Sequence, residues 1–188
     1  MRMSKASIIL VMVPLVVAAS DDKTPPKGFR EVTPTNRAWV AWYPSGGKLR
    51  ESEELVVLPR FGQIRVFRNV LERKDTSLFA VSQVRLPPKF FRSTAKARQD
   101  FFVAVACNEF NAQIKEQKNI KLGTMAGKEF LLAGRGNMVR TRIYETGAQV
   151  FRVTMVGTKK QVSSEEAETF FTSFKRASKT SADKKDKQ

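Results

Sequence analysis

Guanidinium chemistry is the chemistry this sequence offers most openly. Arg140, Arg142 and Arg152 fall in two neighbouring strand-like runs, 138–145 and 149–156. Arginines at alternate positions of a strand share a face, and their forked N–H donors suit carboxylate or phosphate groups. Imidazole and thiolate chemistry are nearly shut out. The chain holds no histidine and one cysteine, Cys107. A Ser-His-Asp or Cys-His mechanism and a His-ligated zinc or haem are therefore excluded, and one thiol builds neither a metal cage nor an internal disulfide. Cys107 sits in FVAVACNEF, where it reads as a small buried hydrophobe. Gly134-Arg135-Gly136 has the spacing of a phosphate cradle, but such a cradle must open a helix, and here a further strand follows. A hairpin turn is the expected role. No paired carboxylates form a recognisable constellation, so no catalytic residue, cofactor or metal ligand is expected.

The arginines must be positioned by the block 127–175. Its strands are expected at 130–133, 138–145 and 149–156, with a helix closing the block. Pairing about Gly147 would set Ile143 opposite Phe151, Thr141 opposite Val153 and Val139 opposite Met155 on one inner face. The same register sets Arg142 opposite Arg152 on the outer face, beside Arg140 and Tyr144. Facing like charges are unfavourable. Glu129, Glu145 or a bound anion would relieve them. Ser163 and Glu166 have capping-box spacing for the closing helix. Ala167, Phe170, Phe171 and Phe174 then form one apolar face.

Earlier strands are expected at 37–43, 63–71 and 77–86, with a short apolar run at 55–58. Pro87 and Pro88 end the last strand. A helix is expected over 94–113, capped by Ser93 or Thr94, with Phe102, Ala106 and Phe110 as its buried stripe and Val105 and Phe101 beside it. The stretch 114–122 reads as a weak edge strand or a loop.

The ends place the protein. Residues 1–19 combine Arg2 and Lys5, an apolar run and small residues before Ser20, which is a secretory signal peptide with cleavage expected after Ala19 or, second, after Ser20. No cysteine follows the apolar run, so no lipoprotein anchor is expected there. The export signal implies a periplasmic or secreted protein, with an N-terminal membrane anchor as the alternative. Residues 20–36 read as a linker, 37–175 as one domain and 176–188 as a disordered basic tail. The net charge is +16, and +10 remains once the leader's +2 and the +4 of residues 175–188 are set aside. Such a charge favours anionic partners. Export makes nucleic acid an unlikely regular ligand and points to a protein, an anionic envelope component or a membrane surface.

The order of strands, long helix, Gly127-Lys128-Glu129, two more strands and Phe170-Phe171-Thr172-Ser173-Phe174 resembles the PsbP-like superfamily. Arg142-Ile143-Tyr144 and the run 151–156 carry the likeness further, which covers roughly 39–174. The superfamily includes photosystem II extrinsic proteins, a Ran-binding import factor and DcrB-type bacterial envelope proteins. The resemblance implies a single α+β domain, an antiparallel sheet layered with helices as αβα. It implies no function, since members do unrelated things. The expected role is a non-enzymatic exported domain that binds a protein or anionic ligand. An anionic-membrane association module and a His-independent enzyme are the alternatives.

Overall fold

Strand-forming runs punctuated by glycine and proline dominate the chain. The computed structural model describes residues 24–177, apart from 59–61, 89, 91, 92, 135 and 148. Expectations for the leader, for Ala19 and Ser20 and for the tail from residue 178 lie outside the described residues.

The elements in order are β1 (Phe29–Val32), β2 (Trp39–Pro44), β3 (Lys48–Leu58), β4 (Gly62–Glu72), β5 (Leu78–Arg85), α1 (Ala95–Glu109), β6 (Gln113–Leu122), β7 (Met125–Ala133), β8 (Met138–Thr146), β9 (Gln149–Gly157), α2 (Lys159–Val162), α3 (Glu165–Ser173) and β10 (Lys175–Arg176). Seven strands form one antiparallel sheet in the order β3-β4-β5-β9-β8-β7-β6. β1, β2 and β10 form a small second sheet. The architecture is α+β and mainly antiparallel β.

Each face of the large sheet carries its own core. On one face, Phe102, Val103 and Ala106 of α1 pack over Ile64, Val84 and Val139. On the other, Phe170 and Phe171 of α3 join Trp39 and Tyr43 of β2 over Phe79 and Val153. The expected αβα layering is thus modified, because the small sheet shares the second face with α3. Phe170 meets the rings of Tyr43 and Phe79 edge-on at 5.1 and 5.2 Å. The Ser173 hydroxyl accepts a hydrogen bond from the Trp42 amide at 2.8 Å, which ties α3 to β2.

Several expectations need correction. β1 lies within 20–36, read as linker; four residues between turn-forming stretches are too few to show an alternation. β3 is eleven residues long, not a short run at 55–58, because its charged first half pairs with β4 throughout. The helix expected over 94–113 ends at Glu109, and Gln113 already opens β6, which settles 114–122 as an edge strand. Thr94 caps α1 by accepting from the Ala97 amide. The capping box belongs to Thr158 and Gln161 of α2, and Ser163 ends that turn. Ser164 caps α3, accepting from the Ala167 amide at 3.2 Å.

The register of β8 and β9 is the most consequential correction. Thr146 pairs with Gln149, so two residues close the turn, with Gly147 at φ 45°. Pairing about Gly147 itself would need an odd loop. The shift by one residue sets Tyr144 opposite Phe151, Arg142 opposite Val153 and Arg140 opposite Met155. Arg152 faces Ile143 instead of Arg142. Arg140 and Arg142 therefore lie on the α3 face and Arg152 on the α1 face.

Gly127 in β7 shows how tightly the sheet is closed. A methyl group there would stand 2.6 Å from the Ile143 carbonyl oxygen and 2.7 Å from the Tyr144 ring. Backbone cannot give way cheaply. Gly127→Ala is expected to lower the unfolding free energy by about 1–3 kcal/mol in urea titration.

Candidate functional site: a groove beneath the first helix

Two of the three sequence-predicted arginines come together, but in a closed cluster. Arg140 and Arg142 stand two residues apart on β8, facing α3. Both guanidiniums lie over the Phe171 ring, with Cζ 4.7 and 4.8 Å from its centroid. Glu129 of β7, directly opposite Arg142, accepts from Arg140 at 2.9 Å and from Arg142 at 2.5 Å. Lys118 reaches the same carboxylate at 2.8 Å. Glu168 of α3 accepts from Arg140 at 2.7 Å and Arg142 at 2.9 Å.

Burial alone would raise the Glu129 pKa. The hydrogen bonds from Lys118, Arg140 and Arg142 reverse that and hold it at about 2. Glu168 is also held below the usual carboxylate range, its burial outweighed by the same two arginines. This cluster needs no external anion. It joins sheet to helix. Glu145, the other acidic residue named for relief, instead accepts from Arg98 Nε of α1 at 2.5 Å.

Arg152 belongs to a different place. Arg68 of β4, Ser82 of β5 and Arg152 of β9 are register partners across three adjacent strands. Their side chains line a groove of about 530 Å³ between the sheet and α1. The volume lies within the range of about 300–1,000 Å³ typical of small-molecule sites. One residue pair along the same strands, the row becomes Val66 and Val84; beyond it lie Ile64 and Val56. The helical wall changes in the same sense. Phe101, Phe102 and Val105 line its apolar part, then Asn108 and Glu109 its polar end. Sheet and helix thus turn polar at the same end.

Two guanidiniums meet one carboxylate at that end. Glu109 accepts from Arg152 at 2.8 Å and lies 3.7 Å from Arg68. Burial lowers the Arg152 pKa; Glu109 opposes that, while the positive charge of Arg68 adds to it. Ser82 is 3% exposed, and its hydroxyl has no hydrogen-bond partner among the described residues. A buried polar group in that condition is uncommon and costly. α1 is held over the groove at both ends, by Arg98 to Glu145 and by Glu109 to Arg152.

Little of this groove is marked in the sequence. Val56, Ile64, Arg68, Ser82 and Glu109 are far apart in the chain and singly unremarkable. One signal was present in α1. Its buried positions are Gln99, Phe102, Val103 and Ala106, a stripe of normal width. Phe101 and Val105 lie outside it, and Val105 is exposed. An apolar arc wider than the packing stripe leaves side chains for another purpose. Cys107 is partly buried against the same core, and burial pushes its thiol pKa up. It is unsuited to act as a nucleophile.

No family model matches the sequence, and no curated protein matches it. Among solved structures, that of cyanobacterial PsbP (CyanoP) from Synechocystis covers 81% of this chain and 95% of its own, with a TM-score of 0.55 and 9% identity. A Pseudomonas aeruginosa protein of unknown function covers 71% of this chain and 85% of its own, with a TM-score of 0.32 and 12% identity. The first of these likenesses shows that the chain has a PsbP-like fold.

Proposed function

We propose that the protein is an exported, non-enzymatic binding domain of the cell envelope or secreted space, whose ligand occupies the groove beneath α1. The layout of residues 1–19 supports export, and the fold with that leader fits a DcrB-type member of the PsbP-like superfamily. The groove carries the binding reading: an apolar channel of about 530 Å³ with a few converging polar groups at one end. The three arginines expected to contact an anion or partner on one face lie on two. On the α3 face the guanidiniums are engaged by Glu129 and Glu168, so opening them would break the helix–sheet joint. On the α1 face Arg152 borders open volume.

Titration with the fluorescent probe anilinonaphthalene sulfonate tests the groove. Saturable one-to-one binding is expected. Val105→Trp, which places a large side chain at the exposed rim, should weaken it about ten-fold or more. Undiminished binding by a folded Val105→Trp protein would remove the groove as the site.

A further inference from the structure

The groove is graded from apolar to charged, and the grading says what kind of ligand it fits. Same-face rows along a strand lie about 7 Å apart. From Ile64 through Val66 to Arg68 the sheet wall therefore runs two apolar rows and then a charged one, over about 13 Å. On α1 the step from Phe101 and Val105 to Asn108 and Glu109 follows the same direction. An occupant must be apolar at one end and polar at the other.

The sign and type of the polar end follow from the groups that meet it. The lining residues supply two guanidiniums against one carboxylate. The two guanidiniums carry like charge and share the Glu109 carboxylate, at 3.7 and 2.8 Å. Between them in the register lies the Ser82 hydroxyl, buried, without a hydrogen-bond partner among the described residues and bordering the cavity. A hydroxyl donor between two guanidiniums matches a small planar anion that accepts several hydrogen bonds at once. A cationic head would meet the repulsion of Arg68 and Arg152. A neutral alcohol offers these donors one oxygen, where a carboxylate offers two.

We propose that the groove binds a monocarboxylic acid with an unbranched apolar tail, its carboxylate on Ser82, Arg68 and Arg152 and its tail along Val66, Val84 and Phe102. This rests on the groove being the binding site, and the test separates the two ideas. The purified full chain is titrated calorimetrically with decanoate, decanol and decyltrimethylammonium, and with octanoate and dodecanoate for tail length.

Decanoate should bind at least ten-fold more tightly than decanol, and the trimethylammonium compound should not bind. Each methylene added from octanoate to decanoate should tighten binding about four-fold, as burial of apolar surface requires. Ser82→Ala should weaken decanoate about ten-fold and leave decanol unchanged, since only the charged head uses that donor. If Ser82→Ala does not fold, the headgroup series on the unaltered protein still decides. Equal binding of all three heads, abolished by Val105→Trp, would keep the groove and overturn the carboxylate. Binding of decanoate that ignores Val105→Trp would overturn both ideas. Binding of none by a protein that sediments as a dimer would assign the groove to a second copy and also overturn the proposal.

Discussion

Replacing Phe171 with alanine is expected to lower the unfolding free energy by about 3–5 kcal/mol, the range for removing a buried phenylalanine. Phe171 is 1% exposed. It packs against Phe170 at 5.5 Å between ring centroids and against the sheet core through α3. Its outer face is the platform for two guanidiniums, so the substitution removes the stacking of Arg140 and Arg142 as well as the apolar volume. Phe171→Leu separates these contributions. It keeps most of the volume and loses the ring, and should cost less than half as much as alanine. Equilibrium unfolding in urea measures both. A loss below about 1 kcal/mol for Phe171→Ala would mean that the site collapses without a cavity and that α3 is not held as described.

Glu129→Gln is the second large effect, expected at about 2–4 kcal/mol near neutral pH. Breaking a buried ion pair by removing one partner leaves charge uncompensated, at about 3–5 kcal/mol. Here Glu168 retains part of the compensation for Arg140 and Arg142. The same carboxylate makes stability depend on pH in a defined direction. Its pKa is depressed from 4.5 to about 2 in the folded protein. A depressed carboxylate stabilises the fold above its unfolded pKa and loses that contribution as pH falls through the folded value. The loss should therefore run from about 4.5 down to about 2, on the order of 3 kcal/mol at most. Glu168 adds to it with the same sign. Unfolding free energies between pH 6 and pH 2 should fall steeply for the unaltered protein and less steeply for Glu129→Gln. Parallel curves would show that Glu129 is not the linked group.

Much of the fold was legible because local signals agreed. Thr94 capped its helix, paired prolines closed β5, and the spacing of Ala167, Phe170, Phe171 and Phe174 gave the buried face of α3. The register of β8 against β9 was not legible, and the reason is physical. Residues 150–155 are all buried, because both faces of the sheet are covered. With core on both sides, alternation no longer distinguishes one register from its neighbour. The turn length decides instead, and Gly147 fits loops of more than one length. That one-residue shift changed what the arginines mean. In place of Arg142 facing Arg152, the structure has Arg140 and Arg142 paired with two carboxylates on the α3 face and Arg152 on the opposite face. Glu129, expected to relieve a pair formed by Arg142 and Arg152, instead accepts from Arg140 and Arg142, and Glu168 joins it from α3.

The groove was illegible for a different reason. Its walls come from β3, β4, β5, β9 and α1, and no spacing in the chain brings Arg68, Ser82 and Arg152 into one row. Only the topology does, by inserting β9 beside β5 after α1 and a three-strand excursion have intervened. Its one local trace was the surplus apolar width of α1 at Phe101 and Val105.

Chemical-shift mapping of the nitrogen-labelled protein, titrated with anilinonaphthalene sulfonate, tests the central claim most directly. The groove reading predicts saturable shifts concentrated in three segments, 64–68, 82–84 and 101–109, with Glu129, Arg140 and Arg142 unmoved. Shifts centred on β8 and α3, or saturable binding that leaves those three segments unchanged, would contradict it.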